Sequence, residues 1–313
     1  MVKSKIRLVI LALLVFLTPC GVAAAEQLTL MLDWFPNVDH LPLYVARQRN
    51  YFGEAGLAVT IVSPSETADA LKLAATDKVD VAISYEPQTL IAAARGLDIV
   101  VVGRLVAHPL TTLLYLEKSG IVTPADLQGK RIGYTVPGLM DVLLAAFARV
   151  NGIDTYQAVN VGFNIVASLT AGKVDAVMGP FKTYETVTMR HKGYAVGYFE
   201  LEKYGLPDYD ELVFVCGPMA RKSKPRAIAA FRDAVARAIR FARSNPEQAL
   251  ADYFKQVPEA DQQIESEALA LTLPYFAHDQ QHDPERWQRF ADFAVQYGLI
   301  EQAVDVRALL AQD

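Results

Sequence analysis

The sequence predicts an α/β protein of two lobes, each with a mainly parallel sheet flanked by helices, and a ligand cleft between the lobes. Strand-like and helix-like segments alternate through most of the chain, and from Lys224 onward the sequence turns mostly helical. Two similar segments, KVDVAISYEP (78–87) and KVDAVMGPF (173–181), each follow a helical stretch and run into polar and aromatic residues. Repeated alternation implies strands laid parallel with helices on both faces. The paired Lys-Val-Asp segments fit two lobes of like topology, and they equally fit an ordinary helix-to-strand junction. In open α/β sheets ligands sit beyond the carboxyl ends of strands, so two such ends facing each other make a cleft.

QLTLML (27–32) alternates as a half-buried strand does. A helix follows from Pro42, which suits a first helical turn, and runs to about Asn50. After Tyr51-Phe52-Gly53 and a break at Gly56, LAVTIV (57–62) is a second strand, TADALKLAAT (67–76) a helix, and VDVAIS (79–84) a β-rich segment. IVVVGRL (99–105), TTLLYLE (111–117) and RIGYT (131–135) are strands by their β-branched and apolar content. Past Pro137-Gly138, residues Leu139, Met140, Leu143, Leu144 and Phe147 form one helical stripe, stopped near Asn151-Gly152. VDAVM (174–178) and LVFVCG (212–217) are later strands. In the helical C-terminal part, Ile228, Phe231, Val235 and Ile239 make a core-facing stripe that Asn245-Pro246 ends.

The first 25 residues are of another kind. Lys3, Lys5 and Arg7 precede an apolar run from Leu8 to Leu17, and Ala23-Ala24-Ala25 follow, which is the pattern of a secretory signal peptide cut before Glu26. The run is short for a membrane span. An uncut signal anchor is a lesser reading, as is lipid modification at Cys20, for which Pro19 is a poor neighbour. A periplasmic location is therefore expected. Cleavage removes three cations and no anion, moving the formal charge from −5 to −8, and so net acidic a chain argues against nucleic acid or an anionic membrane as the main partner. Only Cys216 survives cleavage, so no disulfide framework or cysteine metal site can form. With 313 residues, 52% of them hydrophobic and 21% charged, the chain suits an ordered protein with two substantial cores.

Enzymatic signatures are weak. The sequence has no G-x-S-x-G elbow, no phosphate-binding G-x-x-x-x-G-K-[ST] and no H-E-x-x-H. His278 and His282 in FAHDQQHDPER (276–286) have the spacing of zinc ligands on a helix. However, Asp279 replaces the needed glutamate and Pro284 interrupts the helix, so the segment reads as a solvated loop. Four clusters remain. In LDWFPNVDHLPLY (32–44), Trp34 and Phe35 offer stacking faces while Asp33, Asn37 and His40 offer directional hydrogen bonds, as recognition of a flat heterocycle requires. Asn37 is both donor and acceptor, like a pyrimidine edge; a turn with buried aromatics is an equal reading for any single residue, and His40 suits a structural support. In SYEPQ (84–88), Tyr85 is the better candidate and Glu86 reads first as an acid at a helix N-terminus. GYTVPG (133–138), with Tyr134, lies between a strand and a helix, where backbone N–H groups suit a polar substituent. In GPFKTYETV (179–187), Tyr184 and Glu185 follow a strand end. A carboxylate there could accept hydrogen bonds from an exocyclic amine and a protonated ring nitrogen, although on residue type alone Glu185 reads first as an exposed helix glutamate.

The segment LDWFPNVDHLPLYVARQRNYFGEAGLAVTI closely resembles the opening of the periplasmic binding proteins for thiamine-pyrimidine precursors, with their pattern L-D-W-x-P-N-x-x-H-x-x-L-Y-V-A followed by Y-F-x-x-x-G-L. Leu32, Asp33, Trp34, Pro36, Asn37, His40, Leu43, Tyr44-Val45-Ala46, Tyr51-Phe52 and Gly56-Leu57 match. The likeness continues through VDVAISY, GKRIGY, GKVDAVMG and YGLPDYDELVF (204–214), covering essentially the whole mature chain. It implies a type II periplasmic binding protein of an ABC importer, monomeric, without a cofactor or bound metal, and with permease and ATPase subunits as partners. It puts lobe one at 26–114 plus 216–313 and lobe two at 115–215, with crossings near Tyr115 and Val215. It also implies that Trp34 stacks on a pyrimidine ring near Asn37 and Tyr85, and that Glu185 pairs with the aminopyrimidine edge. The expected ligand site is therefore Trp34, Asn37, His40, Tyr85, Tyr134, Tyr184 and Glu185, with no catalytic residue. Lys182-Thr183-Tyr184 before that glutamate is less aromatic than the family pattern. The same superfamily contains the fungal thiamine-pyrimidine synthase, which consumes its own pyridoxal phosphate and histidine and depends on iron. Its cysteine-rich motif is absent, since residues 179–217 hold only Cys216. Binding of another heterocycle such as riboflavin is the other alternative, whereas the W-x-P-N-x-x-H segment disfavours sulfonate and nitrate.

Overall fold

The computed structural model describes residues 24–311. The expected signal segment up to residue 23, with Cys20, lies outside the described residues. Strands β1 (Glu26–Met31), β2 (Leu57–Val62), β3 (Val81–Ser84) and β4 (Val100–Val106) come first. Next are β5 (Thr111–Leu116), β6 (Arg131–Tyr134), β7 (Gln157–Asn160), β8 (Ala176–Phe181) and β9 (Val196–Glu200), and β10 (Leu212–Cys216) returns late in the chain. They form two five-stranded sheets of the same topology, β2-β1-β3-β10-β4 and β7-β6-β8-β5-β9. β1 is parallel to β2 and β3, and β6 to β7 and β8, whereas β10 runs antiparallel to β3 and β4, and β5 to β8 and β9. Each sheet thus has four strands running one way and one reversed, so the sheets are mixed. The reversed strand in each case is the one laid down directly after the chain crosses between sheets, without the helix-bearing return that keeps strands parallel.

The Lys-Val-Asp echo has a structural cause. β3 and β8 hold the same central position in their sheets. Asp80 Oδ2 accepts the Thr29 N–H at 2.8 Å, and Asp175 Oδ2 accepts the Arg131 N–H at 2.9 Å. The matching return bonds run from the Asp80 and Asp175 amides to the Thr29 and Arg131 carbonyls. Each aspartate therefore fixes the register of its strand's neighbour.

A boundary at 114/115 would cut through β5, and one at 215/216 through β10; sheet membership puts the crossings at 107–110 and 205–211. The two crossings are tied together. Glu211 accepts hydrogen bonds from the Leu110 and Thr111 amides at 2.5 and 2.8 Å and from the Thr111 hydroxyl at 2.7 Å. Burial pushes the Glu211 carboxyl up to about 7. Beside it, buried Asp210 accepts the Trp287 indole N–H at 3.0 Å and faces the guanidinium groups of Arg286 and Arg104 at 3.2 and 3.4 Å.

After β10 the chain is helical and covers the first sheet. In the helix Pro225–Ser244, Ile228, Phe231, Val235 and Ile239 are all buried, and Phe231 stacks on Phe52 with ring centroids 5.6 Å apart. The stripe of Leu139, Met140, Leu143, Leu144 and Phe147 is likewise buried along Met140–Val150 and the turn before it. His282 departs from the solvated-loop expectation. Its side chain is 6% exposed, stands edge-on to Trp287 and comes within 3.5 Å of Asp210, because the loop folds back over the second crossing. Among the described residues, no helix is long and apolar enough to cross a membrane.

Candidate functional site

The chain leaves β1 through Leu32 and enters an irregular stretch, Asp33–Pro36, at the carboxyl end of a central strand. Asn37 then starts a single 3-10 turn, Val38–His40, by accepting the Asp39 N–H on its side-chain oxygen at 2.9 Å. The helix Leu41–Gln48 continues from this turn with Pro42 in its first turn. This cap explains why asparagine precedes the turn. It also fixes the amide, leaving the Asn37 NH2 as its free reading group.

Asp33 organises the first wall. Its Oδ1 lies 2.9 Å from His40 Nε2, and its Oδ2 accepts the Tyr85 hydroxyl at 2.7 Å. Tyr85 sits at the end of β3, and burial, reinforced by Asp33, holds its phenol well above the usual range, so it stays a neutral donor. Asp39 accepts the Thr272 hydroxyl at 3.0 Å, and burial raises its carboxyl to about 7 against the opposing pull of His40. Behind the turn, Glu265 accepts the Val38 N–H at 2.9 Å and the Tyr184 hydroxyl at 3.0 Å, and its carboxyl is also raised to about 7 by burial.

The second wall comes from the other sheet. β8 ends in Gly179-Pro180-Phe181, and Glu185 opens the short helix Glu185–His191, where its Oε2 accepts the Phe181 N–H at 2.7 Å. Burial lifts the Glu185 carboxyl to about 7, with these backbone bonds pulling the other way. Gly179 has φ +127°, and a Cβ there would lie 2.1 Å from Thr135 Oγ1, so only glycine lets β8 pass this close to the end of β6.

Between the walls is a narrow cleft. Asp33, Trp34, Asn37, Asp39, His40 and Tyr85 line it on one side, and Thr135, Ile165, Gly179, Phe181 and Glu185 on the other. Among the described residues no lysine or arginine lines it. At its rim, the Trp34 and Phe35 rings lie 4.5 and 4.4 Å from the ring of Phe163, which belongs to the segment after β7.

Of the seven residues expected in the site, Trp34, Asn37, His40, Tyr85 and Glu185 come together on the cleft, and Tyr134 and Tyr184 do not line it. Tyr134 is the last residue of β6, so its successor Thr135 points the other way and takes the cleft position. Tyr184 turns toward Glu265 instead. Sequence reasoning did not place Asp39, Thr135, Ile165, Gly179 or Phe181 in the site. Asp39 lay inside the opening segment, and Thr135 and Gly179 in segments already singled out, but nothing local marks which side chain faces inward.

Fold and site together define a periplasmic-binding-protein fold. An alkanesulfonate-binding protein of Xanthomonas axonopodis pv. citri superposes with a TM-score of 0.74 at 19% identity, covering 93% of this chain and all of that one. A Candida albicans protein described as having the generic periplasmic binding protein fold superposes with a TM-score of 0.73 at 18% identity, covering 91% of this chain and 96% of its own. The chain belongs to the NMT1/THI5-like family, whose model matches residues 37–249. It is 36% identical to a Haemophilus influenzae protein named for thiamine biosynthesis, over 91% of each chain. It is 32% identical to the formylaminopyrimidine-binding protein of Halalkalibacterium halodurans, over 97% of each. A 4-amino-5-hydroxymethyl-2-methylpyrimidine phosphate synthase of Legionella pneumophila is 23% identical over 90% of each.

Proposed function

We propose that this protein is the solute-binding component of an ABC importer and that it captures a formylaminopyrimidine-like thiamine precursor in the cleft. In this reading the first sheet with the C-terminal helices is one lobe and the second sheet the other, a monomer that closes by hinge motion about the two crossings. After signal-peptide cleavage it works in the periplasm, and the closed form docks on a permease driven by ATPase subunits. Trp34 stacks on the ring, the Asn37 amide and Tyr85 hydroxyl read polar edges, and Glu185 pairs with the aminopyrimidine edge by sharing one proton with a ring nitrogen. His40 is held by Asp33 and supports the wall.

The observation that carries this reading is the near full-length likeness to a formylaminopyrimidine-binding protein, together with a cleft that has an aromatic face on one wall and a half-buried carboxyl on the other. The synthase-like relatives favour a second reading, a pyrimidine-forming enzyme. Against it, Lys182, one residue beyond Phe181, is held by Glu200 and Glu202 at 2.9 and 2.8 Å rather than offered to the cleft for an imine. The test is a thermal-shift screen of aminopyrimidine, formylaminopyrimidine, thiamine and riboflavin, in which a binder raises the melting temperature by linkage. A shift by riboflavin alone would overturn the pyrimidine assignment, and bound pyridoxal phosphate or iron in the purified protein would favour the enzyme.

A further inference from the structure

The two oxygens of Asp39 have different fates. Oδ1 accepts the Thr272 hydroxyl at 3.0 Å, whereas Oδ2, buried in the cleft wall, has no hydrogen-bond partner, and neither does Nδ1 of His40 beside it. A buried acceptor left unmade is costly, so a ligand donating to it recovers more than an ordinary hydrogen bond. The other carboxyls of the cleft are already engaged. Asp33 holds His40 and Tyr85, and Glu185 holds the Phe181 amide with one oxygen. Asp39 rises from the first-sheet side and Glu185 from the second, so a ligand between them can meet a carboxyl on each wall. The turn that bears Asp39 is also fixed from behind. The helix Gln262–Thr272 contributes Glu265 to the Val38 amide and Thr272 to Asp39 itself, which keeps Oδ2 in place before any ligand arrives.

We infer that Asp39 is a specificity-determining residue, and that it selects 4-aminopyrimidines whose ring side chain carries an N–H by accepting that hydrogen on Oδ2. This rests on the aminopyrimidine reading and adds to it a contact from the wall opposite Glu185. A substituent with no hydrogen to donate leaves Oδ2 as it is now.

Calorimetric titration of the mature protein with two probes tests it, namely 4-amino-5-formylaminomethyl-2-methylpyrimidine and its 5-methyl counterpart. The wild type is expected to bind the N–H-bearing probe at least tenfold more tightly. Asp39→Asn keeps the shape but, with its oxygen on Thr272, turns an N–H toward the ligand's N–H, so the affinity ratio should collapse to about threefold or less. Thr272→Val leaves the carboxyl and removes its anchor, so the ratio should fall severalfold. This second variant decides the matter if the first does not fold. Equal weakening of both probes by Asp39→Asn, or an unchanged ratio in Thr272→Val, overturns the inference alone. If the wild type binds neither probe, the pyrimidine reading fails and takes the inference with it.

Discussion

Glu185 is the residue at which ligand binding and stability should pull in opposite directions, and Glu185→Gln separates them. Burial raises this carboxyl from its ordinary 4.5 to about 7 in the empty cleft. A raised folded-state pKa means the folded protein holds the proton more tightly than the unfolded chain. Stability from this group is then fully present below pH 4.5 and is lost as pH climbs through 7. A displacement of about 2.5 in pKa at 1.36 kcal/mol each gives an upper bound of about 3 kcal/mol at pH 8, less whatever the side chain's opening onto the cleft screens. Glutamine has nearly the same shape, can still accept the Phe181 N–H, and carries no charge. The unliganded variant should therefore melt higher than the wild type at pH 8, by roughly 5 °C at about 2 °C per kcal/mol, and equally with it near pH 4.5. Its affinity for an aminopyrimidine should fall roughly 30-fold or more, because two charge-assisted hydrogen bonds become one neutral one.

The same reasoning fixes the pH dependence of binding. If one proton is shared between Glu185 and the ring, the wild type must take up a proton on binding above pH 7, and its dissociation constant should rise toward tenfold per pH step. The variant should lack that dependence. Paired thermal melts at pH 4.5 and 8, with calorimetric titrations between pH 6 and 9, measure both effects. A wild type whose affinity is flat from pH 7 to 9, or a variant no more stable at pH 8, would refute the shared proton and the buried-acid argument respectively.

Trp34→Ala should remove the stacking face and weaken pyrimidine binding roughly 100-fold, while the melting temperature drops only slightly because the ring is partly exposed; unchanged affinity by titration removes Trp34 from the site. Glu211→Ala strips acceptors from the Leu110 and Thr111 amides and should destabilise the fold by about 2–4 kcal/mol in denaturant melts, with faster hydrogen exchange in the crossings as the local signature. Tyr184→Phe deletes the bond to Glu265 that links the two sides beside the cleft, worth about 1 kcal/mol, and should speed ligand release roughly fivefold with little change in association.

Much of this was legible locally and some of it could not have been. LAVTIV (57–62) coincides with β2, and the helical stripe at 228–239 lies in the core, because apolar periodicity directly encodes burial. The two strands without a sequence signal, β7 and β9, are the outer edges of the second sheet, where half-exposed side chains carry no alternating pattern. Ile165 escaped because its helix is only six residues long, too short to show a stripe. In the site, aromatic and amide residues announced themselves by type, whereas Asp39 did not. Its burial depends on Thr272, 233 residues away, and no window on the sequence contains both. The same holds for Glu265, which supports Val38 across 227 residues.

The contacts between the two sides suggest how capture becomes closure. Direct contacts between the two sides beside the cleft are few: the Thr67 hydroxyl donates to the Thr135 carbonyl at 2.7 Å, the Tyr184 hydroxyl to Glu265 at 3.0 Å, Trp34 meets Phe163, and Arg190 and His191 pair with Glu267. Hydrogen bonds of this kind contribute about 1 kcal/mol each and are open to competition from water when the cleft parts. A ligand favours closure only by what it gains in the closed state beyond the open one. A ring lying against Trp34 in an open form would still lack Glu185. A molecule without the amino-and-ring-nitrogen edge leaves Glu185 without a partner, so it should bind the first wall and yet fail to hold the lobes shut. Small-angle scattering can separate these states. A compacting ligand in the wild type that binds Glu185→Gln without compaction supports the coupling, and equal compaction of both proteins refutes it.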